Sequence, residues 1–461
     1  MRTILEPRKN VMLLWRQAKP AQTKYRRMKY LLDAETQDGL LLYNVVTSGL
    51  VLLDKREAEL VKSLPLEYSS EMDGLIEGHF LVKEDYDESK LVLQLRAVLR
   101  KLDVPERVNG FTILPTTECN ARCYYCFESD HPHCTMTEKI ASDVVEYIET
   151  MSKSKGISIE WFGGEPLVGY KRISQICAAL QEKGIEFRSS MVSNGYLFDH
   201  DMIQTAKTDW KLGSVQITLD GTEEVYNRTK AYISPKDNPY RRVLRNIGDL
   251  LVNGIRVNVR LNVTDQNADD LSKLIDELAD RFGENKGFAC YAHAVYEDVG
   301  FEPLSYDGTA KEQVDSRTVL LETKLVQRGL LGSITGLPYL RVMNCMADND
   351  SCRLIYPDGT VGKCENMSSE KCIGDIYSDV MDLEMAELYK TSMMLDQCKS
   401  CFLFPYCMNL KLCPETGQCS STKVEWKKQR YRKTMLSNYA KHEAQATEKE
   451  SEPGSLFDCN T

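Results

Sequence analysis

Cys119, Cys123 and Cys126 stand in a C-x3-C-x2-C spacing, Glu118-Cys119-Asn-Ala-Arg-Cys123-Tyr-Tyr-Cys126-Phe-Glu. A loop of that length points three thiolates at one centre. Thiolates are the ligands iron–sulfur clusters require, and three of them bind three irons of a cubane while the fourth stays open to a ligand. Zinc is the other metal such a loop invites, although closed zinc sites take four protein ligands. A second pattern lies toward the C-terminus: Cys345-x6-Cys352-x11-Cys364, then Cys398-x2-Cys401-x5-Cys407-x5-Cys413-x5-Cys419.

Composition narrows what these cysteines do. The chain has 461 residues, sixteen of them cysteine, and a net charge of −10. A disulfide framework belongs to short exported chains, whereas clustered cysteines in a reducing compartment are metal ligands or catalytic groups. The acidic balance argues against phosphate-driven binding to nucleic acid. The sequence has no apolar run of bilayer length and no bounded signal segment, so it reads as cytoplasmic, with no membrane partner. Residues 1–30 nevertheless carry nine Lys and Arg against the single acid Glu6. Residues 1–24 are expected as a solvated basic arm, or as a docking surface for an acidic peptide.

The elements that must position the cysteines can be drawn from periodicity. Residues 25–104 show strand signals at Tyr30–Asp33 and Leu40–Val46 around a turn at Asp38-Gly39. A third strand or helix start comes next at Ser48–Leu53, then three short helices, the first capped by Asp54. Residues 108–297 alternate strand and helix. The strand candidates are Phe111–Thr117, Ile157–Phe162, Phe187–Val192, Ser214–Leu219, Val257–Val263 and Gly287–Val295. Helices include Pro239–Val252, with Val243, Ile247, Leu250 and Leu251 on one face, and Asp270–Phe282. Six βα units imply a parallel sheet, a partial (β/α)6 TIM-like barrel whose chemistry sits at the carboxyl ends of its strands. Residues 298–344 read as a helical connector and 345–419 as a cysteine-rich region. Residues 420–461 read as a charged helix ending in a disordered polar tail, Glu443–Thr461.

With the strands in place, the chain resembles the radical S-adenosylmethionine (SAM) superfamily. Gly163-Gly164-Glu165-Pro166 comes after the second strand, Ser193-Asn194-Gly195 ends the third, and Gln216-Ile-Thr218-Leu-Asp220-Gly221 ends the fourth. In the family, the first segment binds the SAM amino group, with glycines allowing close approach and a carboxylate pairing with an ammonium. The counterpart of Gln216 and Thr218 contacts the ribose and methionyl part. The basic group for the SAM carboxylate falls at Lys230, with Arg228 close by, and Tyr125 matches the aromatic position beside the adenine.

The C-terminal cysteines, with Gly359 five residues before Cys364, resemble the SPASM extension. The spacing between Cys407 and Cys413 is x5 where that family usually has x3. The resemblance implies two auxiliary [4Fe–4S] clusters, three clusters in all. One auxiliary cluster would sit on Cys345, Cys352, Cys364 and Cys413, the other on Cys398, Cys401, Cys407 and Cys419. A pair of structural zinc sites is the alternative. Cys134, Cys177, Cys290, Cys372 and Cys459 are left as apolar filler. Residues 25–104 resemble the winged-helix-like peptide-recognition element of peptide-modifying enzymes.

The implied function is maturation of a ribosomally made precursor peptide by a thioether or carbon–carbon crosslink. A flavodoxin- or ferredoxin-type donor would supply electrons, and residues 25–104 would bind the leader at the free edge of their third strand. An anaerobic sulfatase-maturing enzyme is the alternative. That family has an Asp after the cysteine matching Cys364, proposed as a base, where this chain has Glu365. The third reading is a cluster-bearing winged-helix regulator that is no enzyme.

Overall fold

The computed structural model describes residues 1–15, 23–103, 105–128, 132–295, 308–331, 336–367, 371–378, 381–414, 416 and 419–451. Arg16–Gln22 of the expected basic arm, part of the connector, the last ten residues of the tail and Cys459 lie outside the described residues.

The N-terminal part comprises β1 (Arg2–Leu5), α1 (Lys9–Leu14), β2 (Lys24–Arg27), β3 (Leu31–Glu35), β4 (Leu40–Asn44), β5 (Leu50–Leu53), α2 (Lys55–Lys62), β6 (Leu66–Glu67), α3 (Asp73–Glu77), β7 (Leu81–Lys83) and α4 (Glu88–Leu102). Strands β3, β4 and β5 form the expected antiparallel meander. Gly39 has φ 148°, and a Cβ there would overlap the Leu53 carbonyl oxygen, so the turn requires glycine. Asp54 and Glu57 exchange side-chain and backbone hydrogen bonds in a capping box that starts α2.

Two expectations for this part do not hold. The edge of β5 is not free, because β1 pairs with it antiparallel in the order β1-β5-β4-β3. Residues 1–15 are therefore not a solvated arm: Ile4, Val11 and Trp15 are buried, and an amphipathic segment that buries apolar side chains is held by them. Charge in this region is also matched locally. Arg26 pairs with buried Glu88 at 2.8 Å, and Arg27 with Asp33 at 2.8 Å.

Nor does the N-terminal part stand alone. Tyr30, Leu91, Leu95 and Leu99 share one apolar cluster with Leu340, Phe402, Phe404, Tyr431 and Met435. Arg96 of α4 is buried, and its guanidinium donates to the carbonyls of Phe404 (2.7 Å), Pro405 (2.9 Å) and Cys407 (2.8 Å). The N-terminal and cysteine-rich parts thus have a joint core.

The central sheet holds β8 (Gly110–Ile113), α5 (Glu138–Ser152), β9 (Ile157–Trp161), α6 (Tyr170–Glu182), β10 (Phe187–Ser193), α7 (His200–Thr208), β11 (Leu212–Leu219), α8 (Glu223–Lys230), α9 (Pro239–Val252), β12 (Arg256–Val263), α10 (Ala268–Phe282), β13 (Phe288–Ala294) and α11 (Gly308–Gln327). Strands β8 to β13 are neighbours in sequence order and all parallel. Ile157, Ile159, Trp161, Val215, Ile217, Val257 and Val259 belong to the main apolar core. The alternate positions, Glu160, Gln216, Thr218, Arg260, Tyr291 and His293, form a polar face. A parallel sheet covered by helices on both sides would be apolar on both. The polar face is therefore the one left for chemistry.

The C-terminal part adds β14 (Cys352–Ile355), β15 (Thr360–Gly362), β16 (Gly374–Asp375), α12 (Leu383–Lys390) and α13 (Ser421–Ser451). Strand β14 pairs parallel to β8, so the cysteine-rich region extends the central sheet to nine strands. Helix α13 runs to Ser451, past the point where a disordered tail is expected. The Glu-, Lys- and Ala-rich sequence there favours helix. Among the described residues no helix is long and apolar enough to cross a membrane.

Candidate active site

The four sequence motifs converge at the carboxyl ends of four adjacent strands. The loop after β8 carries Cys119, Cys123 and Cys126. It is pinned on both sides, by Glu165 N–H donating to the Glu118 carbonyl at 2.9 Å and by Arg122 N–H donating to the Lys230 carbonyl at 2.9 Å. A Cβ on Gly163 would overlap the Thr116 carbonyl, and one on Gly164 would lie 2.6 Å from that of Glu118. The two glycines are what lets the second loop lie against the first. Burial pushes the Cys119 thiol up to about 12, and negative charge from Glu165, Cys123 and Cys126 adds to it. Burial raises Cys126 too, with Glu128 and Cys123 adding to it. Thiolates so placed need a positive partner, which cluster irons supply.

Glu165 is fully buried. Its carboxylate accepts from Leu167 N–H at 3.1 Å, Ser193 Oγ at 2.9 Å and Asn194 N–H at 2.8 Å. Burial raises its pKa to about 7 against these hydrogen bonds. Ser193 and Asn194 therefore act on Glu165, and the Asn194 side-chain Nδ2 donates to Asn120 Oδ1 at 2.6 Å, inside the cysteine loop. Gln216 accepts from the Tyr291 hydroxyl at 2.8 Å, and Thr218 lies two residues further along the same face.

Lys230 is buried and faces Asp220 at 3.1 Å. Its ammonium donates to the Tyr125 hydroxyl at 3.0 Å, which in turn donates to Asp220 Oδ1 at 2.6 Å. Burial alone would lower the Lys230 pKa, but Asp220, Tyr125 and Cys123 reverse the effect and hold it well above the ordinary value. Its charge is thus matched by Asp220. Arg228 is exposed. Two helical residues turn the chain by about 200°, which puts Arg228 on the opposite side of α8 from Lys230.

The C-terminal cysteines fall into two electrostatic groups. Burial pushes the Cys364 thiol up to about 12, with Glu365, Cys345 and Cys413 adding to it. Burial pushes Cys401 up to about 11, with Cys419, Cys398 and Cys407 adding to it. These groups coincide with the two ligand sets the resemblance implies, Cys352 apart. The Cys352 sulfur would lie 2.8 Å from a Cβ on Gly110, at the start of β14 beside β8. Cys177 and Cys290 are buried in the main core as filler. Among the described residues no three His, Cys, Asp or Glu side chains meet closely enough to hold one metal ion. A cubane asks for another spacing, since each thiolate binds its own iron.

Sequence reasoning missed two carboxylates. Glu128 is buried, and its pKa is raised to about 7 by burial and then by Glu365. Glu160, on the polar face of β9, is raised by the same two causes. The negative charge of Glu365 thus acts on both. The position of Glu128 two residues after the third cysteine was the available signal. Asp220 was visible within its motif, but its pairing with Lys230 was not.

Residues 113–278 match the Radical SAM superfamily. The Fe-coproporphyrin III synthase of Methanosarcina barkeri is 26% identical over 216 residues, covering 46% of this chain and 51% of that protein. The radical SAM cyclopropyl synthase TigE of Paramaledivibacter caminithermalis is 22% identical over 166 residues, 30% of this chain and 35% of its own length. The chain therefore spans about half the length of the first relative and about a third of the second. Among solved structures, His-tagged anSMEcpe with bound AdoMet aligns at a TM-score of 0.52 and 17% identity, covering 73% of this chain and 98% of that one. That likeness is one of fold. The superfamily implies a [4Fe–4S] cluster and SAM, and the residues fit them. Three thiols share one local field, the glycine loop leaves backbone close at hand, and Asn120 Nδ2 and Glu128 Oε1 are buried without a hydrogen-bond partner.

Proposed function

With the radical SAM domain of residues 113–278 as the premise, we propose that this enzyme is a maturase of a ribosomally made peptide, forming a thioether or carbon–carbon crosslink. The observation that carries the reading is the joint core of the N-terminal sheet and the cysteine-rich region, whose strand β14 also pairs with β8 of the central sheet. Such an arrangement supports a reading in which a peptide-recognition element and the cysteine-rich region work on one substrate with the radical SAM domain. About a quarter of this chain has no counterpart in anSMEcpe, whose fold is otherwise shared and which is also solved with AdoMet and Cp18Cys peptide bound.

In this reading Cys119, Cys123 and Cys126 hold the first cluster, and Cys345, Cys352, Cys364, Cys413 and Cys398, Cys401, Cys407, Cys419 hold two auxiliary ones. With a cluster on these first three cysteines and SAM bound, the chemistry supplied would be hydrogen-atom abstraction from the peptide. Glu165 accepts the SAM ammonium while Ser193 and Asn194 hold its carboxylate in place. Gly163 and Gly164 keep the backbone close, and Gln216 and Thr218 line the ribose side. Tyr125, fixed by Asp220 and Lys230, would lie on the adenine side when SAM is bound. Glu365 is the candidate base, and its charge raises the nearby buried carboxyls of Glu128 and Glu160. The electron donor is of flavodoxin or ferredoxin type.

The test is anaerobic incubation with SAM, dithionite and a precursor encoded beside the gene. Release of 5′-deoxyadenosine together with a peptide lighter by two hydrogen atoms is expected. A Cys or Ser converted to formylglycine would favour sulfatase maturation instead, and absence of SAM cleavage would overturn both.

A further inference from the structure

The N-terminal strand occupies the groove in which a leader peptide is expected. We propose that the edge of β5 is a peptide-strand site held in the resting protein by β1, and that an incoming peptide enters it by strand exchange. This rests on reading the N-terminal part as a peptide-recognition element.

Strand β1 has the shortest ladder of its sheet, and the segment is tied to α2 by an ion pair, the Met1 ammonium with Glu57. It makes three register pairs with β5, Arg2↔Leu52, Thr3↔Val51 and Leu5↔Leu50, with a bulge between Thr3 and Leu5. The β3–β4 pairing has five uninterrupted pairs and the β4–β5 pairing four. Of its four side chains only Ile4 is buried, at 6% exposure, while Leu5 is 38% exposed. Arg2 reaches Glu443 at 2.9 Å with both side chains substantially exposed, a pairing that holds little in water.

The location is also specific. The Met1 methyl lies 3.3 Å from where a Gly74 Cβ would be, so the segment runs between β5 and α3. The chain beyond β1 is anchored differently. Pro7 packs against Gly49, Arg8 N–H donates to the Thr47 carbonyl at 2.7 Å, Val11 is buried, and the Trp15 ring stacks on His79 at 3.8 Å. Residues 1–6 can therefore leave while α1 stays seated. An incoming strand restores the main-chain hydrogen bonds of β5, so exchange sacrifices no ladder, and side-chain pockets set the selectivity. The occupant is an extended peptide, antiparallel to β5, with an aliphatic residue in the Ile4 position and polar residues beside it.

The probe is a dye-labelled peptide of residues 1–8 of this chain, titrated by fluorescence anisotropy into the full-length protein and its Ile4→Asp variant. Unseating β1 raises the competent fraction, so the variant is expected to bind roughly tenfold more tightly or better. A probe carrying the same Ile-to-Asp change is expected to bind neither protein. Equal affinity for the two proteins, or no binding to either, overturns the proposal. Hydrogen exchange on the unaltered protein is an independent check should the variant misfold. The β1 amides are expected to exchange faster than those of β3 and β4, and equal protection overturns the proposal. Neither measurement uses SAM or a precursor. Failure of the exchange leaves the maturase reading standing, and failure of peptide processing leaves the exchange standing.

Discussion

Glu165 shows how a single buried side chain serves two purposes. Its carboxylate joins the second and third strand ends through Leu167, Ser193 and Asn194, and it remains the anion available to an ammonium. Glu165→Gln is expected to weaken SAM binding by about 1.5–3 kcal/mol, the scale of a charged hydrogen bond. Equilibrium titration of SAM on the reconstituted protein checks this, with the cluster absorbance as the control for folding. His79 permits a pH test far from the clusters. Burial lowers its pKa from 6.5 to about 4, the Trp15 hydrogen bond opposing. A depressed folded pKa contributes stability above the unfolded value, lost as pH falls from about 6.5 toward 4, by at most about 3 kcal/mol. His79 has φ 59°, which Asn tolerates. Comparing His79→Asn with wild type by denaturant unfolding at both pH values should show a shallower acid loss in the variant.

At the scale of elements, the site depends on loops that touch closely. Gly164→Ala would drive a methyl into the Glu118 carbonyl, which the loop pinned by Arg122 cannot vacate. The expected outcome is loss of SAM cleavage and of iron from the first cluster, with the C-terminal clusters retained. Mössbauer or iron counting distinguishes these. Arg96 is the corresponding tie between α4 and the cysteine-rich region. Arg96→Met leaves buried carbonyls of Phe404, Pro405 and Cys407 without this donor. At least about 2 kcal/mol of stability should be lost. Thermal unfolding followed at the absorbance of the proposed auxiliary clusters, with far-UV dichroism alongside, checks it, since the carbonyls flank Cys407.

For the whole molecule, the clusters are expected to be separable although the domains are not. Replacing Cys119, Cys123 and Cys126 together by Ala should abolish SAM cleavage and remove about one cluster in three. The C-terminal cysteines sit just before β14, on it and beyond it, from Cys345 to Cys419, more than 200 residues from that loop. Deleting the N-terminal part is a different matter. It would strip Leu91, Leu95 and Leu99 from the cluster they share with Phe402, Phe404 and Tyr431, and leave an apolar surface in water. Substitutions within the β1–β5 groove are therefore the informative probes of peptide binding.

Local chemistry made much of this protein legible from its sequence. The cysteine spacing, the Gly-Gly-Glu-Pro turn and the six strand signals depend on neighbours within a few residues. Each of those strand candidates overlaps an observed strand, and Pro239–Val252 is a helix over that whole span. Tertiary structure decided what depends on distant pairing. Strand β14 joins β8 across more than 200 residues, Arg432 meets Asp33, the charge of Glu365 raises Glu128 and Glu160, and β1 fills the edge of β5. No periodicity announces such contacts, because an edge strand or a buried carboxylate reads the same in sequence whether its partner is water, a ligand or another part of the chain.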